Sequence, residues 1–102
     1  MQSVSLNGVE LLPVERQQFV QAWNQATYLT ERSGFPAGHS SIHIYIKESS
    51  RKFSFTAFLL GEGKIQFIRH LHRRNIAFQV SSKELERILR THLERQNVGQ
   101  ES

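Results

Sequence analysis

Residues 69–75 read RHLHRRN, three arginines and two histidines around a single Leu71. A guanidinium is a planar cation with several donors, and it matches the oxygens of phosphate or carboxylate. His70 and His72 stand two residues apart, which puts both on one face of a strand at a spacing that suits a pair of zinc, nickel or copper ligands. A third ligand is missing nearby, and the chain contains neither Cys nor Asp. The chemistry expected of this stretch is therefore anion contact, with no metal and no cofactor.

A second basic pair, Arg51 and Lys52, opens RKFSFTAF (51–58). This octet falls partly in register with the RNP1 strand of RNA-binding domains. Lys52 occupies the glycine position of that pattern, however, and no aromatic partner strand accompanies it, so no family is assigned. Charge is concentrated in the same region. Residues 1–40 sum to −1, residues 41–80 to +5 and residues 81–102 to zero, within a total of +4. A localised positive excess points to an anionic partner.

Enzymatic signatures are missing from the sequence. No GxSxG, P-loop or GxGxxG occurs, and all nine acids are Glu, whereas calcium and magnesium sites lean on Asp clusters. Glu84 is explained by helix capping and Glu86 by an i, i+4 pair with Arg90. His92 falls on an apolar helix face and reads as a core histidine. The expectation is a non-enzymatic protein.

The elements that position these residues follow from periodicity. Pro13 suits a first helical turn, and Phe19, Val20, Trp23, Ala26 and Thr27 recur at helical spacing, predicting a helix from Val14 to about Glu31. Asn7-Gly8 marks a tight turn in an N-terminal hairpin or edge strand. Residues 32–41, RSGFPAGHSS, read as a loop. Four alternating stretches then predict strands: Ile42/Ile44/Ile46, Phe53/Phe55/Ala57/Leu59, Ile65/Phe67 and Ile76/Phe78/Val80. Ser81 and Glu84 have capping-box spacing. Leu85, Ile88, Leu89, His92 and Leu93 follow as the apolar stripe of a second helix ending near Gln96.

The fold class expected is α+β, an antiparallel four-stranded meander flanked by an N-terminal and a C-terminal helix. The alternative is ferredoxin-like, βαββαβ plus a C-terminal helix, with residues 64–73 helical. One domain spans 1–97 and a flexible tail spans 98–102.

In a meander, alternate turns share one end of the sheet. Arg51, Lys52, Arg69, Arg73, Arg74 and, on the returning helix, Arg95 are expected to converge on one rim that binds anions. The sheet face carrying His43, Tyr45, Lys47, Phe58, Ile68 and His70 mixes aromatic and basic groups, as a stacking platform or a dimer surface would. The function expected is nucleic-acid binding through the phosphate backbone. The alternative is a homodimeric interaction or assembly factor whose basic rim contacts an acidic protein. The lack of cysteine fits a reducing compartment and no run is long and apolar enough to span a bilayer, so the location expected is the cytoplasm, away from membranes.

Overall fold

A computed structural model describes residues 2–31 and 38–100. The chain runs β1 (Ser3–Leu6), β2 (Val9–Glu10), α1 (Pro13–Gln25), β3 (Thr27–Glu31), β4 (Ser41–Glu48), β5 (Arg51–Gly61), β6 (Lys64–His70), β7 (Asn75–Ser81) and α2 (Lys83–Gln100). The seven strands of the described residues join one sheet in the order β2-β1-β4-β5-β6-β7-β3, with antiparallel ladders. The expected α+β class and two helices are present, and the meander is its centre, β4 to β7. The sheet is wider than four strands: the β1–β2 hairpin extends one edge and β3 the other. Residues 64–70 form a strand, so the ferredoxin-like alternative does not hold.

Local chemistry accounts for the differences. Asn7 and Gly8 both adopt positive φ, as a two-residue hairpin turn requires. The first helix stops at Gln25, six residues short of the expected end. Helical spacing continued through Ala26 and Thr27, but TYLTE is β-branched and aromatic, and it pairs with β7 from Thr27 to Glu31. The second helix is capped one residue later than expected, by the Ser82 hydroxyl accepting from the Leu85 N–H at 3.0 Å. Glu84 instead pairs with Arg87, while Glu86 lies 3.8 Å from Arg90 as expected. Helical backbone continues to Gln100, past residue 98 where the tail was expected; residues 101 and 102, like most of the 32–41 loop, lie outside the described residues.

Both helices pack on one face of the sheet. Val4, Leu6, Ile42, Ile44, Ile46, Phe55, Ala57, Ile65 and Phe67 meet Phe19 and Ala22 of α1 and Leu85, Ile88 and Leu89 of α2. The second helix starts where the Ser82 N–H meets the Gly63 carbonyl, and farther along it Gln96 donates to the Leu6 carbonyl at 3.0 Å. It therefore crosses the half of the sheet nearer the β5–β6 hairpin. Among the described residues, no helix is long and apolar enough to cross a membrane.

The two helices meet at a small ionic cluster. Glu15 accepts from the Leu12 N–H at 3.0 Å and lies 3.7 Å from His92 and 3.2 Å from Arg95. The Leu12 hydrogen bond, helped by His92 and Arg95 and opposed by desolvation, holds the Glu15 carboxyl below its ordinary 4.5. Burial pushes the His92 ring below its ordinary 6.5, against the opposing pull of Glu15 and with a further push from Arg95. A histidine depressed in the folded state is protonated first in the unfolded chain. Its contribution is present above pH 6.5 and is lost as pH falls below that value. Glu15 contributes above pH 4.5 and loses that contribution as pH falls through its lower folded value. Melting temperature measured against pH should thus decline in two stages. His92→Gln should flatten the stage just below pH 6.5, and Glu15→Gln the stage below pH 4.5. An unchanged profile in both variants would show that the cluster does not govern acid stability.

Candidate binding site at the basic end of the sheet

Antiparallel connectivity puts the β4–β5 turn and the β6–β7 turn at one end of the sheet, with the β5–β6 hairpin at the other. The first turn passes through Ser49 at φ 54°. The second is closed by the Leu71 N–H donating to the Arg74 carbonyl at 2.9 Å. Arg51, Lys52, Arg73 and Arg74 are exposed there, so four of the expected rim residues share one end. Lys47 and Lys52 stand directly opposite each other on β4 and β5. Like charges in register across a sheet are unfavourable unless an anion lies between or beside them.

Ion pairing differs between this end and the arginines of α2. On α2, Arg87, Arg90 and Arg95 pair with Glu84, Glu86 and Glu15. Among the described residues, Lys47, Arg51, Lys52, Arg69, Arg73 and Arg74 have no carboxylate within 4.0 Å. Arg95 does not join the rim. Because α2 crosses the sheet rather than returning along it, Arg95 bonds to α1, and neighbouring Gln96 reaches Leu6, which pairs with Ile44, four residues back along β4 from Glu48.

Arg69 is close to the rim but faces the helix side of the sheet, two residues on from Phe67. Its guanidinium sits 5.2 Å from the centre of the Phe53 ring. Below it lies a cavity of about 410 Å³, lined by Trp23, Tyr28, Phe53, Phe55, Phe67 and Phe78 among other residues, with Arg69 and Glu48 contributing the charge. The cavity exists because the helices leave the β5–β7 portion nearest the basic turns uncovered, where Phe53 and Phe78 are only half-buried. Phe67 and Phe78 stack at 5.6 Å and 30°, and Tyr28 continues the stack over Phe78 at 6.3 Å and 29°. Trp23 meets Phe55 and Phe67 edge-on or tilted, at 5.2 and 5.1 Å. Sequence reasoning missed this site. The alternation of Phe53, Phe55, Phe67 and Phe78 predicts strands flanked by helices and no open site, and the helix expected from Val14 to about Glu31 takes in Tyr28. The signal available was the concentration of aromatic residues, five rings from Tyr28, Phe53, Phe55, Phe67 and Phe78 at one site.

The opposite face differs from expectation too. His43, Tyr45 and Lys47 are exposed and Phe58 and His70 half-buried, but Ile68 is only 2% exposed. Its cross-strand neighbours are Thr56 and Ala77, flanked by the buried Gln66 and Gln79. Ile68 is thus unavailable to a dimer surface. His70 belongs to a hydrogen-bonded chain on this face: its Nδ1 donates to Asn75 Oδ1 at 3.2 Å, its Nε2 lies 2.8 Å from Thr56 Oγ1, and Thr56 Oγ1 lies 3.3 Å from His43 Nδ1. This consumes both ring nitrogens of His70, leaving neither for the metal pairing with His72 that their spacing allows. Among the described residues, no group of three or more His or Glu could hold a metal ion.

Neither the curated proteins nor the solved structures contain a match to this chain. A family model does match, over residues 1–94, and takes in every strand and all but the end of α2. By that match the chain belongs to the YfmQ family, described as an uncharacterised protein from the Bacillus cereus group.

Proposed function

We propose that this chain is a non-enzymatic, cytoplasmic module that binds single-stranded nucleic acid through the phosphate backbone at the basic end of its sheet. The observation that carries the reading is the contrast in pairing: the three arginines of α2 are matched by glutamates, while among the described residues the turn and strand-end cations at one end have no carboxylate within 4.0 Å. Arginines with no carboxylate partner among the described residues, set on two neighbouring hairpin turns, are suited to a string of phosphates. An acidic protein would also satisfy the charge, but it gives no reason for an aromatic cavity opening beside the cations, whereas aromatic rings next to a basic track are the usual means of holding single strands. The homodimer alternative has less support with Ile68 buried.

Thr56, His70 and Asn75 stand in the order nucleophile, base and orienter, which invites an enzymatic reading. The Thr56 hydroxyl, however, is on a residue 7% exposed in mid-sheet. Strand β5 is laddered on both sides there, so its N–H groups are engaged and none is left for an oxyanion. The arrangement favours a structural role.

The test is fluorescence anisotropy of a labelled short single-stranded DNA across a salt series. Each contacted phosphate should contribute about −0.7 to the slope of log affinity against log salt. A slope near −3 is expected from about four contacts. A slope shallower than about −1 would rule out the phosphate grip.

A further inference from the structure

We infer that the aromatic cavity beneath Arg69 receives a base of the bound strand, so that the protein holds phosphates outside and one nucleobase within. The inference rests on the phosphate-binding reading above and adds a site to it.

Three observations select a base over other apolar guests. The first is the shape of the walls. In the Tyr28–Phe78–Phe67 run each ring lies within about 30° of its neighbour, and Trp23 stands at 60° to Phe67. Flat π surfaces favour a planar guest, and base–aromatic stacking is indifferent to sequence because every base has a π face. The second is the charge. Arg69 donates and Glu48 accepts. A hydrocarbon chain would use neither, whereas the edge of a base carries both donors and acceptors. The third is position. Glu48 and Arg51 are cross-strand partners, as are Phe55 and Arg69, so the cavity opens within a residue or two of the cations assigned to the backbone. A nucleotide whose base enters it leaves its phosphate between Arg51 and the Arg73–Arg74 turn. The cavity volume of about 410 Å³ falls within the roughly 300–1,000 Å³ of small-molecule sites.

Trp23 is the sole tryptophan and lines the cavity, so its emission reports occupancy directly. The experiment compares a short thymidine oligomer with an abasic deoxyribose-phosphate oligomer of equal length and charge, on the intact protein. The thymidine oligomer should quench Trp23 and bind about tenfold tighter, in line with stacking of one base. The abasic oligomer should bind with the same salt slope and no quenching. Tyr28→Ala removes a ring that is 58% exposed, so folding should persist. It should cost about tenfold in affinity for the thymidine oligomer and leave the abasic one unchanged. Equal affinity for the two oligomers without quenching overturns the cavity assignment and leaves the phosphate grip standing. Failure of both oligomers to bind overturns both readings. Equal quenching by thymidine monophosphate at the same nucleotide concentration would assign the cavity to free nucleotides and overturn the strand as its source.

Discussion

Replacing Arg51, Lys52, Arg73 and Arg74 together by alanine should weaken binding of single-stranded DNA on the order of a thousandfold at about 50 mM salt. It should also flatten the salt slope by about 3. The size of the effect follows from counterion release. Four phosphate contacts carry about 0.7 each, and the contribution of each grows as salt falls. All four residues are exposed, and none has a carboxylate partner among the described residues, so their loss removes no internal bond. Lys52 faces Lys47 directly across β4 and β5, so its removal should relieve repulsion worth a few tenths of a kcal/mol. The variant should therefore melt no lower than the parent while losing its ligand. Lys64→Ala with Lys83→Ala supplies the control, because both are exposed near the β5–β6 hairpin, at the opposite end. A control as damaging per charge as the rim variant would mean that the protein responds to net charge and has no grip at all. Loss of binding accompanied by a lower melting temperature would mean that the two turns serve the fold instead.

How much of this was legible in the sequence depends on which physical signal each feature leaves. Strands β4 to β7 announce themselves by strict alternation, and the register of a meander follows from short turns. The shared end of Arg51, Lys52, Arg73 and Arg74 could therefore be deduced from connectivity alone. Arg95 could not, because its place depends on the crossing angle of α2, which is set by packing of Leu85, Ile88 and Leu89 and leaves no mark on periodicity. The edge strand β3 was hidden for a different reason. Phe19, Trp23, Ala26 and Thr27 keep helical spacing across the helix end, and only the composition of TYLTE shows the change. The cavity lies between these cases. Alternation identifies which rings share a face, but the extent to which two helices cover that face is a matter of their length and placement. Ile68 illustrates the same limit on the other face.

Ile68→Lys should unfold the domain. The side chain is 2% exposed at the centre of β6, between Thr56 and Ala77, with Gln66 and Gln79 buried nearby. Removing a fully buried isoleucine forfeits about 1.5–3 kcal/mol of burial. Putting an unpaired ammonium among neutral neighbours adds several kcal/mol unless the lysine deprotonates or escapes to solvent. A domain of this size has about 5–15 kcal/mol to lose, so the variant should lose its urea transition or accumulate as insoluble protein. Ile68→Val should cost only about 0.5–1.5 kcal/mol. Tyr45→Lys, on the same face but 42% exposed, should stay within about 0.5 kcal/mol of the parent. The contrast between Ile68 and Tyr45 separates two accounts of this face. If Ile68 is sealed within each molecule, charge there is lethal to the fold and charge at Tyr45 is harmless, at any protein concentration. If the face is instead open and closed only by a second copy, Ile68→Lys should yield a folded monomer with a near-parental urea midpoint, and Tyr45→Lys should share that behaviour. A folded, soluble Ile68→Lys protein would return the face to self-association and leave the basic end as the anchor for an acidic partner.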